Sequence, residues 1–176
     1  MTPTTLIRDV ADGDMPAIQA IYAHDVLHGT ASWELRPPDT AELTARRDQV
    51  LAAGYPYVVA EQDGQIAGYA YAGPYRFRPA YRFTVENSIY LHPDFHGQGI
   101  AQLLLHRVID RCVADGRRQM IAVIGDRDSH ASIRFHEKMG FRRVGTIDAI
   151  GWKFGRWLDS ILMQRALGEG SESSPE

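Results

Sequence analysis

The sequence has one cysteine, Cys112, among its 176 residues, so no disulfide can form within the chain. Oxidised secreted domains of modest size usually staple themselves with several, which makes a reducing, cytoplasmic setting the expectation. Long apolar runs are missing as well. No stretch approaches the ~20 residues needed to span a bilayer, and the opening MTPTTLIRDV has neither the basic start nor the apolar core of a signal peptide. A soluble chain without a membrane partner is expected. Nor is there a basic run: 19 Lys and Arg face 22 Asp and Glu, for a net charge of −3. The phosphate attraction that supports nucleic-acid binding is therefore not visible, and no nucleic-acid partner is expected. Metal chemistry lacks a ligand set, because His92 and His96 flank a Pro-containing loop and no cysteine or third ligand has suitable spacing.

What is present suits a globular enzyme-sized fold. With 44% apolar and 23% charged residues, the chain can bury a core without staples. One domain over residues 1–167 is expected, followed by an acidic, Ser-rich tail at 168–176 that reads as disordered. A short strand at Thr5–Val10 leads to a helix-cap signal at Asp12-Gly13-Asp14, with Pro16 in the first turn. A second cap at Asp39-Thr40 opens another helix, which Gly54 can end. Asp63-Gly64 between β-rich runs predicts a hairpin of Tyr57–Gln62 and Gln65–Ala72. Residues 83–91 alternate, setting Val85, Asn87, Ile89 and Leu91 on one face and Thr84, Glu86, Ser88 and Tyr90 on the other. A helix from about Ile100 to Asp115 shows Leu103, Leu104, Val108 and Ile109 at helical spacing, and Met120–Ile124 is a continuously apolar strand. Another helix ending at Met139-Gly140 precedes strand-like Phe141–Thr146 and Trp157–Arg165. Strand, glycine turn, helix and strand between Thr84 and Ile124 form a βαβ unit, so the class is α/β or α+β with a mixed sheet.

Gly97-Gln98-Gly99-Ile100-Ala101 joins that first strand to its helix. Small residues let backbone N–H groups point outward there, and the helix N-terminus adds partial positive charge, a combination suited to phosphate or pyrophosphate. The same pattern also serves in ordinary glycine turns. No Gly-Lys-Ser/Thr follows, which excludes a P-loop, and a dinucleotide fingerprint should open a first βαβ unit instead of following two helices and three strands. Glu86 is mid-strand, as either an acid-base group in a cleft or a surface strand glutamate. Gly73–Arg82 carries three arginines and three aromatics, which can be a solvated loop or a site where Arg76 or Arg82 pairs with an anion. Cys112 lies within an amphipathic helix with no cationic neighbour motif, so it reads as core packing and a cysteine-based transfer is not expected.

The segment HGQGIAQLLL resembles the acyl-CoA pyrophosphate loop of GNAT-type N-acetyltransferases, with Gly99 and Ala101 at the pattern's small positions and His96 replacing its Arg or Gln. Beyond it, AYAGPYRFRPAYRFTVENSIYL, VIGDRDSHASIRFHEKMGF and GWKFGRWLDSILMQ are similar to the phosphinothricin and methionine sulfoximine acetyltransferases within that family, and the order holds from about Leu6 to Leu167. The resemblance implies a mixed sheet of about six or seven strands flanked by about four helices. It implies transfer of acetyl from acetyl-CoA to the amine of a small amino-acid-like acceptor, by direct attack in a ternary complex.

The same resemblance assigns roles to individual residues. Glu86 and His136 are implied as catalytic, His136 either as the acid that protonates the departing thiolate or as a substrate contact. Ile89, Tyr90 and Leu91 are implied to contact acetyl-CoA through the strand backbone. His96, Gly97, Gln98, Gly99, Ile100, Ala101 and Gln102 would hold its pyrophosphate, with Ser129 on the CoA arm. Tyr75, Arg76 and Phe77, with Glu86 and Asn87, are implied to bind the acceptor, aromatic walls shielding an arginine from water. Lys153, Trp157 and Asp159 belong to the resemblance without a chemical duty, as structural or homodimer-forming residues. Other functions remain open: transfer to a protein N-terminus or a polyamine, or a non-catalytic acyl-CoA-binding module.

Overall fold

The computed structural model describes residues 4–175. At the Asp63-Gly64 turn both residues take positive φ, 51° and 77°. That conformation matches the twist of two paired strands. It folds β2 (Tyr57–Gln62) back on β3 (Gln65–Pro74) in antiparallel register, Tyr57 opposite Tyr71 and Gln62 opposite Gln65. β1 (Thr5–Asp9) covers the outer side of β2, and β4 (Thr84–Leu91) lies beyond β3. After β4, helix α3 (Ile100–Ala114) crosses over and returns as β5 (Gln119–Gly125), parallel to β4. β6 (Arg142–Lys153) and β7 (Arg156–Ala166) then form a long hairpin whose β7 pairs with β5. One seven-stranded mixed sheet results, in the order β1-β2-β3-β4-β5-β7-β6. With α1 (Met15–His28), α2 (Thr40–Ala52) and α4 (His130–Lys138), this is the α/β architecture the sequence implied.

Period-two alternation sorts each strand's side chains into two cores. Along β2, Tyr57 and Val59 join Met15, Ile18 and Val26 of α1 and Leu43 of α2 on one face. Val58 and Ala60 join Leu104, Leu105 and Val108 of α3 on the other. Burying a leucine such as Leu104, wholly inaccessible here, is worth roughly 1.5–3 kcal/mol. The two helical layers therefore clamp the sheet and fix β4 between them.

Several local expectations need correction. Asp14 does not cap α1 with its side chain; its carboxylate instead receives Ala11 N–H at 2.7 Å and a bidentate pair from Arg8. Asp39 does cap α2, accepting from Glu42 N at 2.8 Å. Leu103, expected in the core, is 47% exposed. The buried stripe of α3 runs through Ile100, Leu104, Val108 and Cys112, four residues apart each time, and leaves Leu103 outside it. β6 continues seven residues past the expected Thr146, to Lys153, through a register shift between Ile147 and Gly151. The loop expected from Gly73 begins one residue after Pro74, because β3 is longer, and holds a short 3₁₀ turn at Pro79–Tyr81. Residues 168–175 form turns beside Arg118, which bonds to Glu169, Ser173 and the Ser174 carbonyl. Among the described residues no helix is long and apolar enough to cross a membrane.

Candidate active site

β4 and β5 pair only from Thr84 to Glu86, opposite Gln119 to Ile121. Beyond Ile121, β5 stays with β7, while β4 continues to Leu91 beside β3 alone. The strands part at Glu86. From Asn87 to Leu91 the backbone edge facing β5 has no strand partner, and main-chain groups left unpaired in this way demand a ligand or water. A crevice of about 220 Å³ fills the gap, lined by Glu86 to Tyr90 of β4, Ala122 to Gly125 of β5, Ser129, Ser132 and His136 around α4, Ser160 of β7, and Ala31 and Trp33 from the connection between α1 and α2.

Of the residues singled out by sequence, Glu86, Asn87, Ile89, Tyr90, Ser129 and His136 meet in this crevice. Burial raises the Glu86 carboxyl above the usual carboxylate value, and no cation is set against that effect. A carboxylate in this state binds a proton more readily than one in water, as a base working near neutrality requires. His136 is 3% exposed and packs at ring distances of 5.1 Å from both Phe135 and Phe141. Its Nδ1 lies 2.9 Å from the Ser132 carbonyl, which can only accept, so Nδ1 carries the hydrogen. Burial lowers its pKa. The neutral ring therefore presents a lone pair at Nε2 toward Asn87, whose Oδ1 is 3.4 Å away and whose buried Nδ2 has no partner among the described residues. Turning the Asn87 amide end for end would let Nδ2 donate to Nε2 and satisfy both groups. The Ser129 hydroxyl donates to the Gly125 carbonyl at 2.8 Å, which leaves it lone pairs with which to accept.

The glycine loop sits at the mouth of α3. Gly97 and Gly99 adopt φ of 75° and 79°, the left-handed region that glycine enters without strain. Gly99 is the N-cap of α3, so the first N–H groups of the helix have no partner within it. His96, Gly97, Gln98 and Gly99 are exposed, while Ile100 is buried and anchors the turn. Gln98 is engaged within the protein, donating to the Asp94 carbonyl and accepting from Gln62. Open backbone amides at a helix start fit the diphosphate of acetyl-CoA. Leu91 and Gln102 lie outside the crevice lining.

Tyr75, Arg76 and Phe77 do not enter the crevice. They form a separate hollow with Arg78 and Tyr81, where the Arg76 guanidinium lies 5.3 Å from the Tyr75 ring centre and 5.9 Å from that of Tyr81. Phe77 is 93% exposed and shields nothing in this chain. Of the aromatic side chains expected as walls, Tyr75 and Tyr81 flank Arg76 while Phe77 stands in solvent. Burial pushes the Cys112 thiol up to about 12, in keeping with a packing role. Among the described residues no three His, Cys, Asp or Glu side chains gather as a metal site.

Ala31 and Trp33 were missed by sequence reasoning. The available signal was a lone tryptophan in the loop HGTASWELRPP, too common to single out unaided. The acetyltransferase (GNAT) family model matches residues 18–141. The phosphinothricin N-acetyltransferase of Alcaligenes faecalis is 52% identical over 170 residues, which is 97% of this chain and 86% of the relative. The L-methionine sulfoximine/L-methionine sulfone acetyltransferase of Salmonella typhimurium is 40% identical, covering 93% of this chain and 95% of the relative. Among solved structures, the GNAT superfamily phosphinothricin acetyltransferase of Sinorhizobium meliloti in complex with acetyl-CoA superposes with a TM-score of 0.95 at 47% identity, covering 100% of this chain and 94% of that one.

Proposed function

The chain belongs to the acetyltransferase (GNAT) family, and from that premise we propose that it moves acetyl from acetyl-CoA to the amine of a small amino-acid-like acceptor of the phosphinothricin or methionine sulfoximine type. The observation that carries this reading is Glu86, a largely buried carboxyl with raised proton affinity at the point where β4 and β5 part. Glu86 takes a proton from the acceptor's ammonium, and the freed amine attacks the thioester carbonyl. A main-chain N–H on the unpaired β4 edge at Ile89 to Leu91 steadies the oxyanion. The tetrahedral intermediate then collapses: the C–S bond breaks, the amine nitrogen gives up its second proton to the departing thiolate directly or through water, and CoA leaves as the thiol. Both substrates are held together in the crevice, which supplies the proximity that direct transfer needs.

For His136 the structure favours contact over acid work. Acting as an acid at Nε2 requires a doubly protonated ring, which burial opposes; holding Asn87 beside the acceptor requires only the neutral one. The open amides of residues 97–101 support the cofactor assignment, and His96 and Gln102 would border the same loop. Arg76, together with Tyr75 and Phe77, is assigned to the acceptor's anionic end, and this contact requires a ligand or a second chain to cover it. A homodimer is part of the proposal, supported by the exposed apolar side chains of Ile147, Ile150, Trp152, Phe154 and Trp157 along the β6–β7 hairpin. A single domain in a reducing cytoplasm is the setting proposed for it.

The test is CoA release on mixing acetyl-CoA with phosphinothricin, methionine sulfoximine, methionine sulfone, spermidine and an alanine-starting peptide. Turnover of the amino acids alone supports the reading. Preference for spermidine or the peptide overturns the acceptor class, and acetyl-CoA binding with no turnover of any amine reduces the protein to an acyl-CoA-binding module.

A further inference from the structure

Residues 29–34, between α1 and α2, border the Glu86 crevice and are held by segments far away in the sequence. Lys153, at the end of β6, is 3% exposed. Its Nζ donates to the Gly29 carbonyl at 2.9 Å and the Ser32 carbonyl at 2.7 Å. These two carbonyls bracket Thr30 and Ala31, and Ser32 immediately precedes Trp33; Ala31 and Trp33 are the two residues that this connection contributes to the crevice. A buried ammonium is unfavourable unless its donors are satisfied; here main-chain oxygens satisfy two of them, with the Phe154 ring centre at 4.9 Å and the charges of Asp25 and Glu34 acting on the same group.

The Trp33 ring occupies space that two glycines leave open. A Cβ on Gly151 would stand 2.5 Å from Cζ3 of Trp33, and one on Gly125 would stand 2.4 Å from its Nε1 and 2.1 Å from the Thr30 carbonyl. Neither glycine has a positive φ, so what the site needs from them is room and not backbone freedom. The Trp33 Nε1 is buried without a hydrogen-bond partner among the described residues. Shape and the hold on its adjoining backbone therefore keep the ring in place, and Lys153 supplies the contacts to the main-chain carbonyls beside the Ser32 hydroxyl's bonds to Tyr22 and Glu34 N–H.

We propose that Lys153 is a positioning residue for acceptor recognition: by holding the Gly29 and Ser32 carbonyls it keeps Trp33 seated on Gly125 and Gly151 as a wall of the crevice that contains Glu86. The inference rests on the acetyl-transfer reading of that crevice and adds what shapes its acceptor side. The glycine loop at residues 97–101 belongs to other elements, so the hold on the diphosphate end of acetyl-CoA does not depend on this wall.

Two variants test it by different routes. Lys153→Met keeps the aliphatic stem and removes the donors, whereas Gly151→Ala pushes on the Trp33 ring and leaves Lys153 in place. Each should raise KM for phosphinothricin and methionine sulfone on the order of tenfold, with smaller changes in kcat and in acetyl-CoA affinity. A purely structural role would lower the active fraction, and hence kcat, without moving the acceptor KM. A folded Lys153→Met protein with wild-type acceptor KM overturns the proposal, as does equal weakening of acetyl-CoA and acceptor. Should Lys153→Met fail to fold, an unchanged acceptor KM in Gly151→Ala overturns it. Wild-type protein that acetylates neither acceptor would overturn the acetyl-transfer reading and this inference with it; active wild type with unaffected variants overturns this inference alone.

Discussion

The crevice at Glu86 and the hollow at Arg76 lie on neighbouring strands, since Glu86 of β4 pairs with Gly73 of β3 and Tyr75 follows directly after that strand. Their construction differs. The crevice is an interruption of pairing inside a clamped sheet, with its walls set by two helical layers, the Trp33 seat and the Ser129 and His136 hydrogen bonds. The hollow is a surface loop whose cation stacks on its own tyrosines and whose Phe77 stands in solvent. Chemistry needs groups fixed before the substrate arrives, because every reorganisation at the moment of reaction adds to the barrier. Recognition of a charged end can wait for the ligand to complete it. The comparison supports the proposed placing of proton transfer in the crevice and of a weaker, ligand-completed contact in the hollow.

The largest effect should come from breaking the crevice itself. Glu86→Gln preserves shape and removes proton acceptance, so kcat/KM near neutral pH should fall by about 10²–10⁴-fold with acetyl-CoA binding retained. Steady-state rates and a binding titration check both halves, and undiminished turnover would move the base elsewhere. Next in size is the glycine loop. Gly99 sits at φ 79°, so Gly99→Ala carries a left-handed penalty of roughly 1–2 kcal/mol. If the loop relaxes to avoid it, the amides turn away and acetyl-CoA affinity should drop on the order of tenfold, measurable by calorimetry.

Burial also predicts a pH signature that separates the two regions. The folded Glu86 carboxyl has a pKa above its unfolded value. Its contribution to stability is therefore full at low pH, below the unfolded value, and is lost as pH rises through the folded value. Ionising the group is thus a burden on the fold, one that the proposed base role would require. Glu86→Gln should accordingly melt at a higher temperature than wild type at pH 7, with the gap closing as the pH is lowered. The acidic limb of the wild-type kcat/KM profile should also lie above the ordinary carboxylate range. Thermal scans and rate profiles across pH test both statements.

Much of this was legible in the sequence where the determinant is local. Asp63-Gly64 dictates a turn by backbone preference, Asp39 caps α2 within three residues, and Gly99 opens α3. Glu86 could be placed mid-strand by alternation alone. Contacts between distant segments were not legible: Lys153 reaches Gly29 across 124 residues, and Trp33 is a wall only because Gly125 and Gly151 arrive beneath it. Leu103 and Leu104 look alike in sequence, and only the helix's orientation on the sheet decides which is buried. The β6 extension escaped notice because the shift between Ile147 and Gly151 breaks the two-residue period from which strands are recognised.

The smallest expected effect belongs to the hollow, and it sharpens the comparison most. Arg76 is wholly exposed, so the strength of any contact it makes is set by water and by its ligand, not by the fold. Arg76→Ala should leave Tm unchanged, acetyl-CoA affinity unchanged and kcat nearly so. KM for a carboxylate-bearing acceptor should rise by no more than about fivefold, the upper end expected for an ion pair open to solvent, and added salt should erase the difference as it screens the pair. Neutral amines should show no change. A much larger, salt-insensitive loss confined to charged acceptors would mean that Arg76 becomes buried in the working enzyme. In that case a second copy of the chain or a loop closure would have to cover Phe77 and the guanidinium together, and measuring the same KM ratio as a function of protein concentration would tell those two apart.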